Sequence, residues 1–214
     1  MLTSRELYDL LYAELGPLGW WPADSEIEMM IGAILVQNTN WNNVEKSLHN
    51  IQEKNDFDAE KILSLTIEEL QELIRPSGFY HNKSKALMTL LEWLSDYDFN
   101  YKRIDEYFGA ALRTELLKLR GIGPETADVL LVYLFERVEF IPDSYTRRLY
   151  KQLGYTNTES YDKFKKEVRI DDFTNAEAKE FHGLLDEFGK RFLTTKTRDS
   201  EHFLQTFFTE EKDG

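Results

Sequence analysis

Hydrophobic residues recur along this chain at the spacing of amphipathic α-helices, whereas the alternating polar and apolar runs of β-strands are scarce. The helical spacing is clearest in three groups: Leu7, Leu10, Leu11 and Leu15; Ile27, Met30, Ile31, Ile34 and Leu35; and Leu87, Leu90, Leu91 and Leu94. Capping boxes, in which a hydroxyl and a carboxylate satisfy free amides of a first turn, are predicted where Ser25 precedes Glu28 and where Thr66 precedes Glu69. These patterns predict an all-α fold.

The predicted helices are separated by glycine and proline, and the composition sets the size of the fold. Breaks fall at Gly16-Pro17, Pro76-Ser77-Gly78, Gly121-Ile122-Gly123-Pro124, Pro142 and Gly154. With 214 residues, of which 42% are hydrophobic and 30% charged, the chain can form one large or two small globular domains. No repeat, low-complexity tract or obvious flexible linker interrupts it.

The absence of cysteine removes several classes of chemistry together. Disulfides, thiolate zinc sites, iron-sulfur clusters and cysteine nucleophiles are all excluded. The four histidines show no metal-ligand spacing. The N-terminus lacks an apolar signal core and no apolar run approaches the length of a membrane span, so we expect a cytoplasmic protein without a membrane partner.

The charge balance alone argues against a polyanionic partner. The formal net charge is -13, from 26 basic and 39 acidic residues, and phosphate binding is mainly electrostatic. The distribution is uneven, however, because residues 110–154 carry seven basic and six acidic side chains and are the one net-positive segment. The net charge of the whole chain therefore conceals a local excess of positive charge.

The sequence of residues 116–135, within that segment, predicts the end of one helix, a tight glycine turn and a second, strongly apolar helix that begins at Pro124. Gly121 and Gly123 flank Ile122, which allows a sharp turn and a close backbone approach. The amides at the start of the following helix have no partner within the helix and suit a phosphate. An ordinary helix–helix turn capped by glycine is the alternative interpretation.

This stretch resembles the helix-hairpin-helix of the endonuclease III superfamily of DNA glycosylases, in which an aspartate follows at a fixed distance. Asp143, in the run Ile141-Pro142-Asp143, stands in the aspartate's position, and Arg148 stands in the family's arginine position. The resemblance implies that Asp143 is the catalytic carboxylate, which stabilises positive charge on the deoxyribose and activates water. A purely structural alternative for Asp143 is a helix N-cap, which is compatible with catalysis.

The resemblance also implies how DNA is held and whether the strand is cut. Gly121, Ile122, Gly123 and Arg148 match DNA-binding positions. A monovalent cation, Na⁺ or K⁺, would bind the carbonyls of Leu117, Leu119 and Ile122. Bifunctional relatives carry a lysine two residues after the second glycine, and this chain has Glu125 there. A carboxylate cannot form a Schiff base, so the resemblance implies a monofunctional glycosylase that needs no cofactor.

Three further stretches resemble the 3-methyladenine DNA glycosylases of this superfamily: Trp20-Trp21-Pro22, residues 32–41 and residues 75–80. Because an alkylated purine is cationic, electron-rich rings can select it by stacking. Trp20, Trp21, Pro22 and Trp41 are therefore the candidate base pocket, and packing in a core is the alternative for each ring. Glu125 belongs either to this pocket or simply to the favourable charge of a helix N-terminus.

Gln37 matches the family position whose side chain fills the gap left by a flipped nucleotide, and a helix C-cap is its alternative role. Lys83 follows a turn, and we expect it to contact DNA backbone or to be an ordinary exposed lysine.

The fold implied by the resemblance is a two-lobed helical glycosylase, with the flipped base in the groove between the lobes. A central lobe is predicted over residues 25–135, with the helix-hairpin-helix at about 112–135, and a second lobe over 1–24 plus 136–214. The expected partner is damaged double-stranded DNA near the nucleoid, bound by a monomer. A glycosylase for another lesion, a non-catalytic hairpin DNA binder and a protein-binding acidic surface remain alternative functions.

Overall fold

A computed structural model describes residues 1–197 and 201–209, and over these residues the chain is helical without strands. The α-helices are α1 (Ser4–Leu15), α2 (Glu26–Leu35), α3 (Trp41–Asn55), α4 (Ala59–Leu63), α5 (Ile67–Ile74), α6 (Tyr80–Ser95), α7 (Tyr101–Phe108), α8 (Leu112–Lys118), α9 (Pro124–Tyr133), α10 (Ser144–Gln152), α11 (Tyr161–Glu167) and α12 (Asn175–Phe192). The all-α prediction is confirmed. No helix in the described ranges is long and apolar enough to cross a membrane.

The chain forms two compact units. One is Pro22–Glu136, and the other combines Met1–Trp21 with the described residues from Arg137 onward. In the first unit, α2 packs against α3, α6 and α9. Every residue of α2 from Met29 to Leu35 and every residue of α9 from Thr126 to Tyr133 is buried, so these two helices form the centre of its core.

The second unit is organised around the long helix α12, which packs against α1 and α10. Its core is rich in aromatic rings, including Tyr150, Phe164, Phe181 and Phe188 at 1% exposure or less. Burial of an aliphatic or aromatic side chain of this size stabilises a fold by about 1.5–3 kcal/mol. Two glycines of α12 permit close packing, because a Cβ at Gly183 would lie 2.6 Å from Trp20 and one at Gly189 would lie 2.4 Å from Tyr145.

The helix starts follow the predicted capping chemistry with one correction. At α5 the full box forms between Thr66 and Glu69. At α2 the Ser25 hydroxyl accepts the amide of Glu28, but the Glu28 carboxylate bonds the amide of Asp24 rather than that of Ser25. The predicted box at Ser25 is therefore wrong in its second half, because the carboxylate reaches one residue further back.

Candidate active site

Asp143 is a buried carboxylate whose orientation is fixed by a helix start. It is 8% exposed and is the N-cap of α10, where its Oδ1 accepts the backbone amide of Thr146 at 2.7 Å. The second oxygen, Oδ2, faces His182 of α12, with 3.7 Å between Oδ2 and Nε2. An N-cap contact uses one carboxylate oxygen and leaves the other for a second role.

His182 begins a row of ionisable side chains along one face of α12. Asp186 and Lys190 follow at four-residue steps, and the two form an ion pair at 2.5 Å. Burial lowers the pKa of His182, and burial raises the pKa of Asp186. His182 was not singled out from the sequence, although its four-residue spacing to Asp186 and Lys190 is a visible signal.

Arg148 lies on α10, one turn beyond the capping residues, and is exposed. One guanidinium nitrogen donates to the carbonyl of Leu193 at 2.6 Å, and the guanidinium lies 5.4 Å from the ring centre of Tyr145. Both contacts are made by the guanidinium itself. An arginine has five N–H donors, so donors remain beyond the one that bonds Leu193.

The hairpin between α8 and α9 has the tight geometry that its glycines predict. Gly121 has a φ of +77°, a left-handed conformation, and a Cβ there would lie 2.5 Å from the Cβ of Ala86. Ile122 is buried at 5% exposure and anchors the turn in the core. Gly123 is the N-cap of α9 and has no side chain to cover the first free amides of that helix.

An ion pair joins the two helices of the hairpin. The Arg113 guanidinium of α8 bonds both carboxylate oxygens of Asp128 of α9, at 2.8 and 3.2 Å. Asp128 is fully buried and the Arg113 side chain is 28% exposed. A two-point contact of this kind fixes the angle of the pair as well as its distance.

The hairpin contains the three backbone carbonyls for which the resemblance implies a bound cation. The Leu119 carbonyl accepts the amide of Ile122 at 3.2 Å, which leaves one of its lone pairs. No hydrogen bond from the described residues reaches the carbonyls of Leu117 and Ile122. Neutral oxygen donors of this type fit a hard monovalent cation.

Gln37 lies two residues beyond the end of α2 and contacts the hairpin. Its Nε2 donates to Thr126 Oγ1 at 2.8 Å and to the Gly121 carbonyl at 3.3 Å. Gln37 therefore is not the C-cap of α2, which is Val36. The structure brings the predicted gap-filling side chain and the predicted phosphate-binding turn together within one unit.

Lys83 corrects an expectation, because it is buried at 4% exposure rather than on the surface. Its Nζ donates to the carbonyls of Leu35 and Ser77 at 2.8 and 2.7 Å. Burial lowers its pKa to about 8. Lys83 thus ties the end of α2, just before Gln37, to the turn that precedes α6.

Phe79, in that same turn, is a candidate DNA-contacting residue that was not predicted from the sequence. It is 65% exposed and adopts a left-handed φ of +47°, and its ring centre lies 5.9 Å from the Lys83 ammonium. This exposure leaves the ring face accessible to a stacking partner. A signal was available, since Phe79 follows Gly78 in a stretch already noted.

The predicted pocket aromatics occupy two environments, one in each unit. Trp20 packs on Gly183, lies 5.5 Å from the Lys190 ammonium and 5.8 Å from the ring of Trp21. The buried Nε1 of Trp20 has no hydrogen-bond partner among the described residues. A buried donor left in this way costs about 1–3 kcal/mol.

Pro22 and Trp41 come together at the surface of the other unit. They line a cavity of about 190 Å³ with Leu48, Phe57 and several polar side chains, including Glu28, Glu45, His49 and Gln52. The indole nitrogen of Trp41 donates to Glu45 at 3.1 Å. Glu125, in contrast, is exposed in the first turn of α9 and is not among the residues of this cavity.

A helical fold with this hairpin, followed by a buried aspartate at a helix start, defines a class of DNA repair protein. Residues 31–170 match the model of the HhH-GPD superfamily of base excision DNA repair proteins, and the chain belongs to that family. The protein is therefore a DNA glycosylase of base excision repair with DNA as its partner. This confirms the assignment made from the hairpin and the following aspartate.

Particular relatives refine this placement. A protein of Methanocaldococcus jannaschii, named as a candidate DNA repair glycosylase, is 36% identical over 198 residues, which cover 89% of each chain. Endonuclease III of Thermotoga maritima is 26% identical over 168 residues, covering 76% of this chain and 72% of the relative. The solved 3-methyladenine DNA glycosylase of Helicobacter pylori, bound to 1,N6-ethenoadenine, matches with a TM-score of 0.73 and 29% identity, covering 88% of this chain and 98% of that one.

Proposed function

We propose that this glycosylase is monofunctional and removes alkylated purines such as 3-methyladenine by hydrolysis, leaving an abasic site. The observation that carries the proposal is Asp143, a buried carboxylate that is held at one oxygen by the amide of Thr146. Fixed negative charge of this kind stabilises a cationic sugar more strongly than solvated charge does. No covalent intermediate is needed for that role.

In the proposed reaction, the bond between C1′ of the deoxyribose and the purine nitrogen breaks and its electron pair leaves with the base. Positive charge develops on the sugar, and the Asp143 carboxylate stabilises it. Water then adds to C1′ while a carboxylate oxygen accepts its proton. Because an alkylated purine already carries positive charge, it departs as a neutral base without a separate proton donor.

The absence of strand cleavage follows from the residue at the start of α9. A lyase step needs an amine that attacks C1′ and forms an imine, and Glu125 occupies the position where the resemblance places that lysine. Its carboxylate favours the positive end of the α9 dipole but cannot form an imine. We therefore propose that the reaction ends at the abasic site.

In this proposal, aromatic rings select the damaged base by stacking on it. The paired rings of Trp20 and Trp21, and the surface formed by Pro22 and Trp41, supply electron-rich faces for a cationic purine. The unpartnered indole N–H of Trp20 supports a binding role for that ring. The bound 1,N6-ethenoadenine in the H. pylori enzyme is a modified purine, which supports the same class of substrate.

In this proposal, the hairpin and Arg148 bind the DNA backbone. The glycine turn presents amides at the start of α9, and the carbonyls of Leu117, Leu119 and Ile122 would hold a monovalent cation that supplies positive charge toward a phosphate. Gln37 would enter the duplex, which requires its amide to leave Thr126 and the Gly121 carbonyl.

The test is release of free 3-methyladenine and 7-methylguanine from methylated DNA, with borohydride trapping in parallel. We expect base release without a trapped protein–DNA adduct, and heat-labile abasic sites in the product. Undamaged duplex is the matched substrate control, and a lysine-dependent glycosylase is the positive control for trapping. Release of neither base would contradict the substrate assignment, and a borohydride-trapped adduct would contradict the monofunctional mechanism.

A further inference from the structure

The two oxygens of Asp143 have different environments. Oδ1 is engaged by the Thr146 amide, whereas Oδ2 faces His182 Nε2 across 3.7 Å. That separation is longer than a hydrogen bond and within the range of direct electrostatic interaction. Both groups are largely enclosed, because the side-chain atoms alone are 12% exposed in Asp143 and 10% exposed in His182, so water screens this contact weakly.

The charged groups around His182 come from three elements. On α12 itself, Asp186 is paired with Lys190. From the segment before α10, Asp143 faces the ring, and Glu139 lies beside it in an ion pair with Lys165 of α11 at 2.6 Å. Apolar side chains complete the surroundings: Phe140, Ile141, Ile170, Ala178, Phe181 and Leu185.

These surroundings favour a neutral imidazole. Burial lowers the pKa of His182, and the Lys190 ammonium lowers it further. The carboxylates of Asp143 and Asp186 act in the opposite direction without outweighing burial. His182 is thus a neutral ring beside the carboxylate whose charge the proposed reaction uses.

We propose that His182 is a positioning residue for Asp143, whose ring confines the Oδ2 oxygen while the Thr146 amide confines Oδ1. This inference rests on the proposed function, in which Asp143 acts on the sugar. A carboxylate confined at both oxygens presents a constant orientation to the developing positive charge, and preorganisation of that kind lowers the barrier to reaction.

The charge state of the ring is part of this role. A protonated His182 would place positive charge 3.7 Å from Oδ2 and would offset the negative charge of Asp143. Base excision should therefore fall as the pH drops through the pKa of His182. Replacing His182 should therefore change the pH at which excision declines. A variant that only disturbed packing would not change that pH.

The contact can be tested without measuring activity, by following the histidine Cε1 protons against pH by NMR. In Asp143→Asn we expect the His182 midpoint to move to lower pH, because the Asp143 carboxylate raises the pKa of His182 and a neutral amide does not. His202 is the internal control, since burial also lowers its pKa but no carboxylate is among the causes. An unchanged His182 midpoint in Asp143→Asn overturns the proposal.

The functional role is tested by His182→Leu and His182→Gln under single-turnover conditions. Leucine removes the imidazole ring, and we expect excision to slow about tenfold or more with DNA affinity unchanged. Glutamine can place an amide nitrogen near Nε2, so it should restore most of the rate and lose the acidic decline assigned to His182. The His202→Gln variant is the matched control and should keep the wild-type profile.

The two hypotheses fail in distinguishable ways. Wild-type protein that releases no alkylated base contradicts the proposed function, while the NMR coupling between Asp143 and His182 still tests the contact. Active wild-type enzyme together with a His182→Leu rate within about twofold of wild type overturns the positioning role. If His182→Leu does not fold, the pH profile of His182→Gln decides, and a profile identical to wild type overturns the proposal.

Discussion

A carboxylate that caps a helix and also performs chemistry can be tested for each role separately, because asparagine caps helices as well as aspartate does. Asp143→Asn should keep the bond from the Thr146 amide and leave DNA affinity within about threefold of wild type. Base release should fall about 10²- to 10⁴-fold, since the negative charge opposite the sugar is lost. Quantified base release and a duplex-binding titration on the same preparations measure the two effects.

The control for that variant is another aspartate N-cap. Asp58 caps α4 by accepting the amide of Lys61 at 3.0 Å, the same type of N-cap hydrogen bond, and its side chain is exposed. Asp58→Asn should change neither excision nor binding. Equal excision by Asp143→Asn and wild-type enzyme would contradict the catalytic assignment of Asp143.

Phe79 gives a second prediction at the scale of one residue. Its ring is 65% exposed, so Phe79→Ala should change the free energy of unfolding by less than about 0.5 kcal/mol. If the ring stacks on a base, duplex binding should weaken about tenfold, because base–aromatic stacking contributes about 1–3 kcal/mol. Fluorescence anisotropy with a labelled duplex measures the affinity.

Tyr107 is the matched control, an exposed aromatic residue of α7 at 73% exposure. Tyr107→Ala should bind DNA like wild type. Equal losses in the two variants would indicate a general surface effect rather than a base contact at Phe79.

At the scale of elements, the hairpin depends on the ion pair between α8 and α9. Asp128→Ala leaves the largely buried Arg113 guanidinium without its two-point carboxylate partner, so we expect the free energy of unfolding to fall by about 3 kcal/mol. DNA binding should weaken as well, because the angle between the two helices is no longer fixed. Urea denaturation and a binding titration measure these losses.

The exposed pair between Lys118 and Glu115 of α8 is the control for that variant. Glu115→Ala should cost less than about 1 kcal/mol, as exposed pairs usually do. Similar losses for Asp128→Ala and Glu115→Ala would show that burial does not strengthen the hairpin pair.

The junction of α1 and α12 predicts a dependence of stability on pH. The Arg5 guanidinium bonds Glu177 at 2.8 Å and is the main cause that lowers the pKa of Glu177 from 4.5 to about 2. A lowered carboxylate pKa stabilises the fold above the unfolded value of 4.5, and that stability is lost as the pH falls toward 2. Discounted for solvent screening, the contribution is about 1 kcal/mol.

Urea denaturation at about pH 6 and about pH 3 tests this in wild type and in Arg5→Gln. The wild type should lose more than Arg5→Gln between the two conditions, by about half of that contribution, because pH 3 still lies above the folded pKa of about 2. Arg191→Gln, which removes an exposed pair with Glu187 within α12, should behave like wild type. An identical loss in wild type and Arg5→Gln would contradict the assigned cause of the Glu177 pKa.

Local chemistry made the helices predictable, whereas their contacts required the structure. The capping box at Thr66 and the apolar spacing of residues 27–35 and 87–94 depend on near neighbours, so both could be predicted. His182 meets Asp143 across 39 positions of the chain, and such a contact depends on how α12 packs against α10. Spacing indicates which face of a helix is buried but not which element covers it.

At the scale of the whole molecule, the net charge gave the wrong indication of whether the protein binds DNA. A formal charge of -13 argues against DNA, yet the chain belongs to a family of base excision DNA repair proteins. The DNA contacts proposed above use groups that add little to the count of charged side chains: the amides of a glycine turn, one arginine and backbone carbonyls. Backbone dipoles attract phosphate without altering the count of charged side chains.

An acidic protein that relies on backbone groups should need a small cation to bind DNA. Duplex affinity measured in tetramethylammonium chloride should be about tenfold weaker than in potassium chloride of equal ionic strength, because screening is matched but the bulky ion does not fit between carbonyls. Added K⁺ should restore the affinity along a saturating curve, while the urea midpoint of the protein and the melting of the free duplex serve as controls. Equal affinity in the two salts would show that the carbonyls of Leu117, Leu119 and Ile122 hold no cation that matters for binding, and the phosphate contacts would then rest on the helix amides and Arg148 alone.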